Sequence, residues 1–168
     1  LSEQLDPEDL AARLAEYLGG MTRIVLRNGG TVDKYVGGAI LAFWNAPRDV
    51  ADHAQRAVLT ALECQAFSEE LSDRWKRDGV PAFETRIGIN TGDVVVGNFG
   101  YEERMDYTAI GHHVNIASRL EGLNKMYGSR ILCGEATWDL VGGRFSGRFI
   151  DRVSVKGSKA GLSIFVPL

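Results

Sequence analysis

The run at residues 106–121, DYTAIGHHVNIASRLE, constrains this chain more than any other stretch, because it commits a strand, a turn at Gly111 and an amphipathic helix in immediate succession. In an extended strand alternate side chains share a face, so Asp106 and Thr108 point one way and Tyr107 and Ala109 the other. On the helix, Asn115 and Arg119 are four residues apart and stack on one face. Beside them Val114, Ala117 and Leu120 form an apolar stripe that can anchor the helix in a core. An amide and a guanidinium at this spacing can hold an anion. The plainer alternative is that Arg119 bonds a carbonyl or carboxylate and Asn115 an open backbone group. Spacing alone leaves both open.

The remainder of the chain supplies what such a helix would pack on. Asp6-Pro7-Glu8-Asp9 predicts a helix start, with Asp6 as cap, Pro7 at the first helical position and acids at the positive end of the dipole. Leu10, Leu14, Tyr17, Leu18, Met21, Ile24 and Val25 then make one stripe that packs most simply on a sheet, and Asn28-Gly29-Gly30 ends the helix. Residues 31–36 and 39–44 are β-rich runs around Gly37-Gly38, a tight hairpin in which both glycines can take positive φ. Lys34 shares a strand face with Val32 and Val36, so it either snorkels to the edge or is aimed at a ligand. A long helix is predicted over 50–76, with Ala54, Ala57, Val58, Ala61, Leu62, Leu71 and Trp75 inward. Strands are predicted over 83–90, 94–96, 129–133, 148–155 and 162–167, with a short helix near 135–140 and a charged loop at 101–105. Helices alternating with strands and hairpins give an α/β class, an α+β sandwich with helices on a mostly antiparallel sheet.

Length and charge bound the function classes. The chain has 168 residues, 45% of them apolar, which fits a single domain over 1–168. Its formal net charge of −3 gives no basic face for a nucleic-acid backbone, and no basic-aromatic strand motif suggests RNA recognition. No apolar run is long enough to cross a bilayer, and the acidic first residues are unlike a secretory signal, so a cytoplasmic location without membrane contact is expected. Cys64 and Cys133 show no metal-ligand spacing and read as buried, reduced thiols.

Three motifs in order carry a resemblance to the class III nucleotide cyclases: DYTAIGHHVNIASRLE at 106–121, NTGDVVVGNFG at 90–100 and DKYVGGAI at 33–40. The resemblance implies a ferredoxin-like βαββαβ core, with the first strand and first metal loop falling upstream of Leu1. It also implies conversion of ATP to 3′,5′-cyclic AMP and pyrophosphate for signalling, by a homodimer with shared interface sites in which Lys34 and Arg119 come from opposite subunits. Such a domain is expected in the cytoplasm, alone or as the cytosolic part of a larger membrane-attached sensor. Residues 101–105 would belong to the dimer contact. By motif, Asn115 would orient the ribose and Arg119 would neutralise charge on the α-phosphate. Lys156 would meet the terminal phosphates, although a surface turn lysine is the plainer reading there. Lys34 would donate to adenine N1 and Thr108 accept from the exocyclic amine; threonine is a less decisive reader than the aspartate of many relatives, so base selection is expected to be leaky.

Two departures bear on the chemistry. The family implies a site for two Mg²⁺ or Mn²⁺ ions held mainly by carboxylates. Gly38 stands where the second metal-binding aspartate is expected, and the first would lie before Leu1. The chain is therefore expected to turn over poorly or not at all, with a catalytically inactive nucleotide-binding or dimerisation module as the alternative. His112 stands where an acid is common; neutral imidazole is less favourable there by roughly 0.3–1 kcal/mol. The His112-His113 pair reads as capping or exposed and not as a zinc site, since adjacent residues at a helix start diverge.

Overall fold

The computed structural model describes residues 5–155 and 160–168. In chain order these form α1 (Pro7–Arg27), β1 (Thr31–Val36), β2 (Ala39–Phe43), α2 (His53–Arg77), β3 (Ile87–Ile89), β4 (Val95–Tyr101), β5 (Arg104–Ile110), α3 (His112–Tyr127), β6 (Ile131–Gly134), α4 (Glu135–Val141), β7 (Gly147–Val153) and β8 (Leu162–Pro167). The main sheet has the order β3-β6-β8-β7; β3 and β6 run parallel and the other pairs antiparallel. Two hairpins, β1-β2 and β4-β5, form their own ladders.

Strand β6 shows how the layers arise. Successive residues of a strand face opposite sides. Ile131 and Cys133 accordingly pack with Val58 and Ala61 of α2 and Val141 of α4. Leu132 faces the other way, toward Ile116 and Leu120 of α3 and Ile164 of β8. With both faces covered, all of β6 is buried. This is the mixed α/β sandwich with a mostly antiparallel sheet that the sequence predicts. Burial of the two thiols is also as expected, and it pushes Cys64 and Cys133 each up to about 12.

Several local expectations need correction. Asp6 precedes α1 but makes no side-chain cap bond; only its carbonyl accepts, from Leu10 N–H at 2.9 Å. The α1 stripe divides its contacts, with Met21 and Ile24 meeting Cys64 and Phe67 of α2 as well as Ile40 and Ile87 of the strands. Helix α2 starts at His53 rather than near residue 50. Strand β3 is confined to Ile87–Ile89 because side chains serve the preceding residues: Gln65 Nε2 donates to the Thr85 carbonyl at 2.7 Å, and the Thr85 hydroxyl bonds Ser68 and Tyr17. The charged stretch at 101–105 is no loop; β4 and β5 continue into it, with Tyr101 paired to Arg104 across Glu102-Glu103.

Helix α3 carries Asn115 and Arg119, and Gly88 of β3 sets its height above the sheet. A Cβ built on Gly88 would lie 2.3 Å from both the Ala117 carbonyl oxygen and the Glu121 nitrogen, so only glycine admits this approach. The buried face of α3 is Ile116, Leu120 and Asn124, whereas Val114 and Ala117 are half-buried. The predicted stripe is thus rotated toward Ile116. Asn124 fastens the helix by donating to the Ile87 carbonyl at 3.0 Å.

Candidate active site

The β1-β2 hairpin, β5 and the start of α3 enclose a cleft of about 580 Å³ whose lining includes Lys34, Leu41, Thr108, Ile110, His112 and Asn115. A second, open cleft of about 790 Å³ runs along α3 past Asn115, Ser118, Arg119 and Met126. Asn115 belongs to both clefts. Lys34, Thr108 and Asn115 thus line the first cleft, and Asn115 and Arg119 the second. Lys156 lies outside the described residues.

The arrangement follows from local backbone features. The β1-β2 ladder pairs Val32 with Ala42 but Lys34 with Leu41, which leaves Asp33 as an extra, bulged residue. A bulge interrupts strict alternation and re-aims side chains, so Lys34 does not simply share the face of Val32. Adjacent strand residues ordinarily diverge, yet Lys34 Nζ stands 3.6 Å from Asp33 Oδ1. The Asp33 side chain is fully buried, while that of Lys34 is about half exposed. Asp33 Oδ2 accepts from the Thr108 hydroxyl at 2.6 Å and from the Ala109 N–H at 3.1 Å, joining β1 to β5 through a side chain. Among the described residues, Asp33 Oδ1 has no hydrogen-bond partner.

Asp33 is not among the residues that the motifs single out for a role. The available signal was its place in TVDKYV, where a carboxylate inside a β-rich run has to find partners or stay at an edge.

On α3, Asn115 and Arg119 are exposed on the face turned from the core. No ion pair or hydrogen bond engages the Arg119 guanidinium among the described residues. His113 turns inward, its ring over Gly92 and its Nδ1 3.2 Å from Asn90 Nδ2. His112 is exposed at the cleft wall.

The donor set for divalent ions is thin. Among the described residues no group of three His, Cys, Asp or Glu side chains converges to hold an ion. Gly38 is exposed at the hairpin tip and offers only backbone atoms. The described residues do not fit a two-ion site. A Cβ at Gly38 would meet nothing within 4 Å, and its φ lies outside the left-handed region, so an aspartate could be accommodated there; Gly37, at φ 60°, takes the left-handed turn position.

The family model described as the adenylate and guanylate cyclase catalytic domain matches residues 1–166. Adenylate cyclase 1 of Rhizobium meliloti is 37% identical over 165 residues, covering 98% of this chain and 25% of that protein. The adenylate cyclase of Anabaena cylindrica is 39% identical over 169 residues, covering 98% of this chain and 33% of its own length. The chain thus spans a quarter to a third of these curated relatives. Among solved structures, the adenylyl cyclase CyaB from P. aeruginosa superposes with a TM-score of 0.89 at 36% identity, over 99% of this chain and 86% of that one. The guanylyl cyclase Cya2 superposes at 0.85 and 33% identity, over 99% and 83%. With the match running nearly end to end in both sequence and fold, this chain belongs to the family of adenylate and guanylate cyclase catalytic domains.

Proposed function

We propose that this chain is an adenylate cyclase catalytic domain that binds ATP and forms 3′,5′-cyclic AMP and pyrophosphate, with turnover impaired by Gly38. The observation that carries the reading is that Asn115 lines both clefts, with Lys34 and Thr108 in one and Arg119 in the other. The adenine fits the first cleft: Lys34 donates to N1 and Thr108 accepts from the exocyclic amine, whereas guanine presents an N–H and a carbonyl at those positions. Asn115 then holds the ribose, and Arg119 faces the α-phosphate. The 3′-hydroxyl gives its proton to water, the 3′-oxygen bonds to the α-phosphorus as the bond to the bridging oxygen breaks and pyrophosphate leaves, and the fixed charge of Arg119 meets the negative charge that develops. Positioning of the hydroxyl against phosphorus supplies the rest of what these residues offer. Lys156 would extend the contacts to the terminal phosphates.

A second reading, a nucleotide-binding regulatory module without turnover, is favoured by the specific lack of a carboxylate at Gly38 and of any convergent acidic group among the described residues. Both readings share nucleotide binding, and both are compatible with a homodimer. Equilibrium binding of ATP tests the shared part. Lys34→Ala is expected to weaken ATP binding by about tenfold, the loss of one charge-assisted hydrogen bond; unchanged affinity in the folded variant would contradict the placement of the base.

A further inference from the structure

We propose that Asp33 is a positioning residue that sets base selection by fixing the direction in which the Thr108 hydroxyl can bond. A threonine hydroxyl has one hydrogen to donate and lone pairs to accept with, and left free it rotates to suit either base edge. Here it is not free. The Asp33 carboxylate is fully buried and lies 2.6 Å from Thr108 Oγ1, and an ionised carboxylate can only accept, so Thr108 donates its hydrogen to Asp33. The same Oδ2 accepts the Ala109 N–H at 3.1 Å, which holds the carboxylate in place from the backbone of β5. What Thr108 has left to offer the cleft is acceptor capacity alone.

This inference rests on the reading that Thr108 faces the base. An acceptor-only hydroxyl pairs with the adenine amine and opposes the guanine carbonyl, so Thr108 backed by Asp33 discriminates as a carboxylate would. The leaky selection expected of an isolated threonine does not follow. The bulge at Asp33 is the backbone device that makes this possible, since it turns the carboxylate inward behind Thr108 while the neighbouring Lys34 lines the cleft. Oδ1, buried and without a hydrogen bond among the described residues, keeps the Lys34 ammonium at 3.6 Å.

The test is equilibrium binding of ATP and of GTP to the full chain, comparing the wild type, Thr108→Val, Asp33→Ala and the double variant, with circular dichroism as the folding control. Thr108→Val is expected to lower the preference for ATP over GTP by about tenfold, and Asp33→Ala by a similar factor. The double variant is expected to lose less than about threefold beyond Thr108→Val, because Asp33 acts through the hydroxyl. If Thr108→Val lowers the preference while Asp33→Ala keeps it, or if the two losses simply multiply, the inference is overturned and the site reading stands. If the wild type binds neither nucleotide, or Thr108→Val leaves the preference unchanged, the base placement fails and the inference with it. Should Asp33→Ala not fold, proton NMR of the wild type decides: a slowly exchanging Thr108 hydroxyl proton is expected, and a freely exchanging one overturns the proposal.

Discussion

Arg119 shows what a single side chain contributes here, since its guanidinium stands exposed on α3 at the cleft and is unengaged among the described residues. If it meets charge that develops only during the reaction, its loss should act on rate and not on affinity. Arg119→Ala is expected to lower cyclic AMP formation by about a hundredfold or more with little change in KM, read from initial rates in whichever of the Gly38 and Gly38→Asp proteins is the more active. A change confined to KM would assign Arg119 to ground-state binding instead. Lysine is a poor substitute, because a point charge lacks the planar fork of donors. At this scale a motif that fixes spacing also fixes which cleft a residue lines: Lys34, Thr108 and Asn115 line one, and Asn115 and Arg119 the other. Asp33 was not legible, because its position depends on a bulge, and alternation along TVDKYV gives no sign of an extra residue.

Among the elements, α3 is the one whose placement decides the site, and two features hold it. Gly88 lets its backbone descend onto β3, and Tyr127 at its far end donates to Asp151 Oδ2 of β7 at 2.6 Å. That bond holds the Asp151 carboxyl below the usual carboxylate range, with help from the Arg152 N–H, and raises the Tyr127 phenol. A lowered carboxylate contributes stability that is present above its unfolded value, about pH 4, and is lost as pH falls through the folded value. The raised phenol contributes below its unfolded value, about pH 10, and is lost as pH rises through the folded one. Tyr127→Phe is therefore expected to lower the thermal midpoint between these limits and to match the wild type in strong acid, as followed by circular dichroism. An equal gap at pH 7 and in strong acid would show that the hydroxyl acts by some means other than this bond. Element types were mostly readable from periodicity, and the misses have physical causes. The stretch before β3 gives its polar groups to Gln65, Ser68 and Tyr17, and no local pattern announces those partners. The outer end of the β4-β5 hairpin was hidden because Glu102-Glu103 and Arg104 read as a solvated loop, whereas its register depends on pairing along the whole length of both strands.

At the scale of the whole molecule, that same hairpin leaves an apolar surface uncovered. Register sets Val95 opposite Ile110, and Phe99 and Tyr101 continue the same face of β4; all four are exposed, Tyr101 to 90%. Together with the family resemblance this supports a homodimer in which the hairpin reaches the partner. Tyr101→Asp is expected to weaken self-association by about tenfold or more in sedimentation equilibrium, and a wild type that stays monomeric at high concentration would remove the dimer from the account. Dimerisation alone would not supply the carboxylate that Gly38 lacks, so the central claim stays with that residue. The most direct measurement is cyclic AMP formation from Mn²⁺-ATP by the full-length protein carrying Gly38 or Gly38→Asp, with ATP binding measured on both. The account predicts that both bind ATP and that the aspartate form turns over at least about tenfold faster, a difference of about 1.4 kcal/mol in the barrier. A Gly38 protein that forms cyclic AMP as fast as the aspartate form would contradict it.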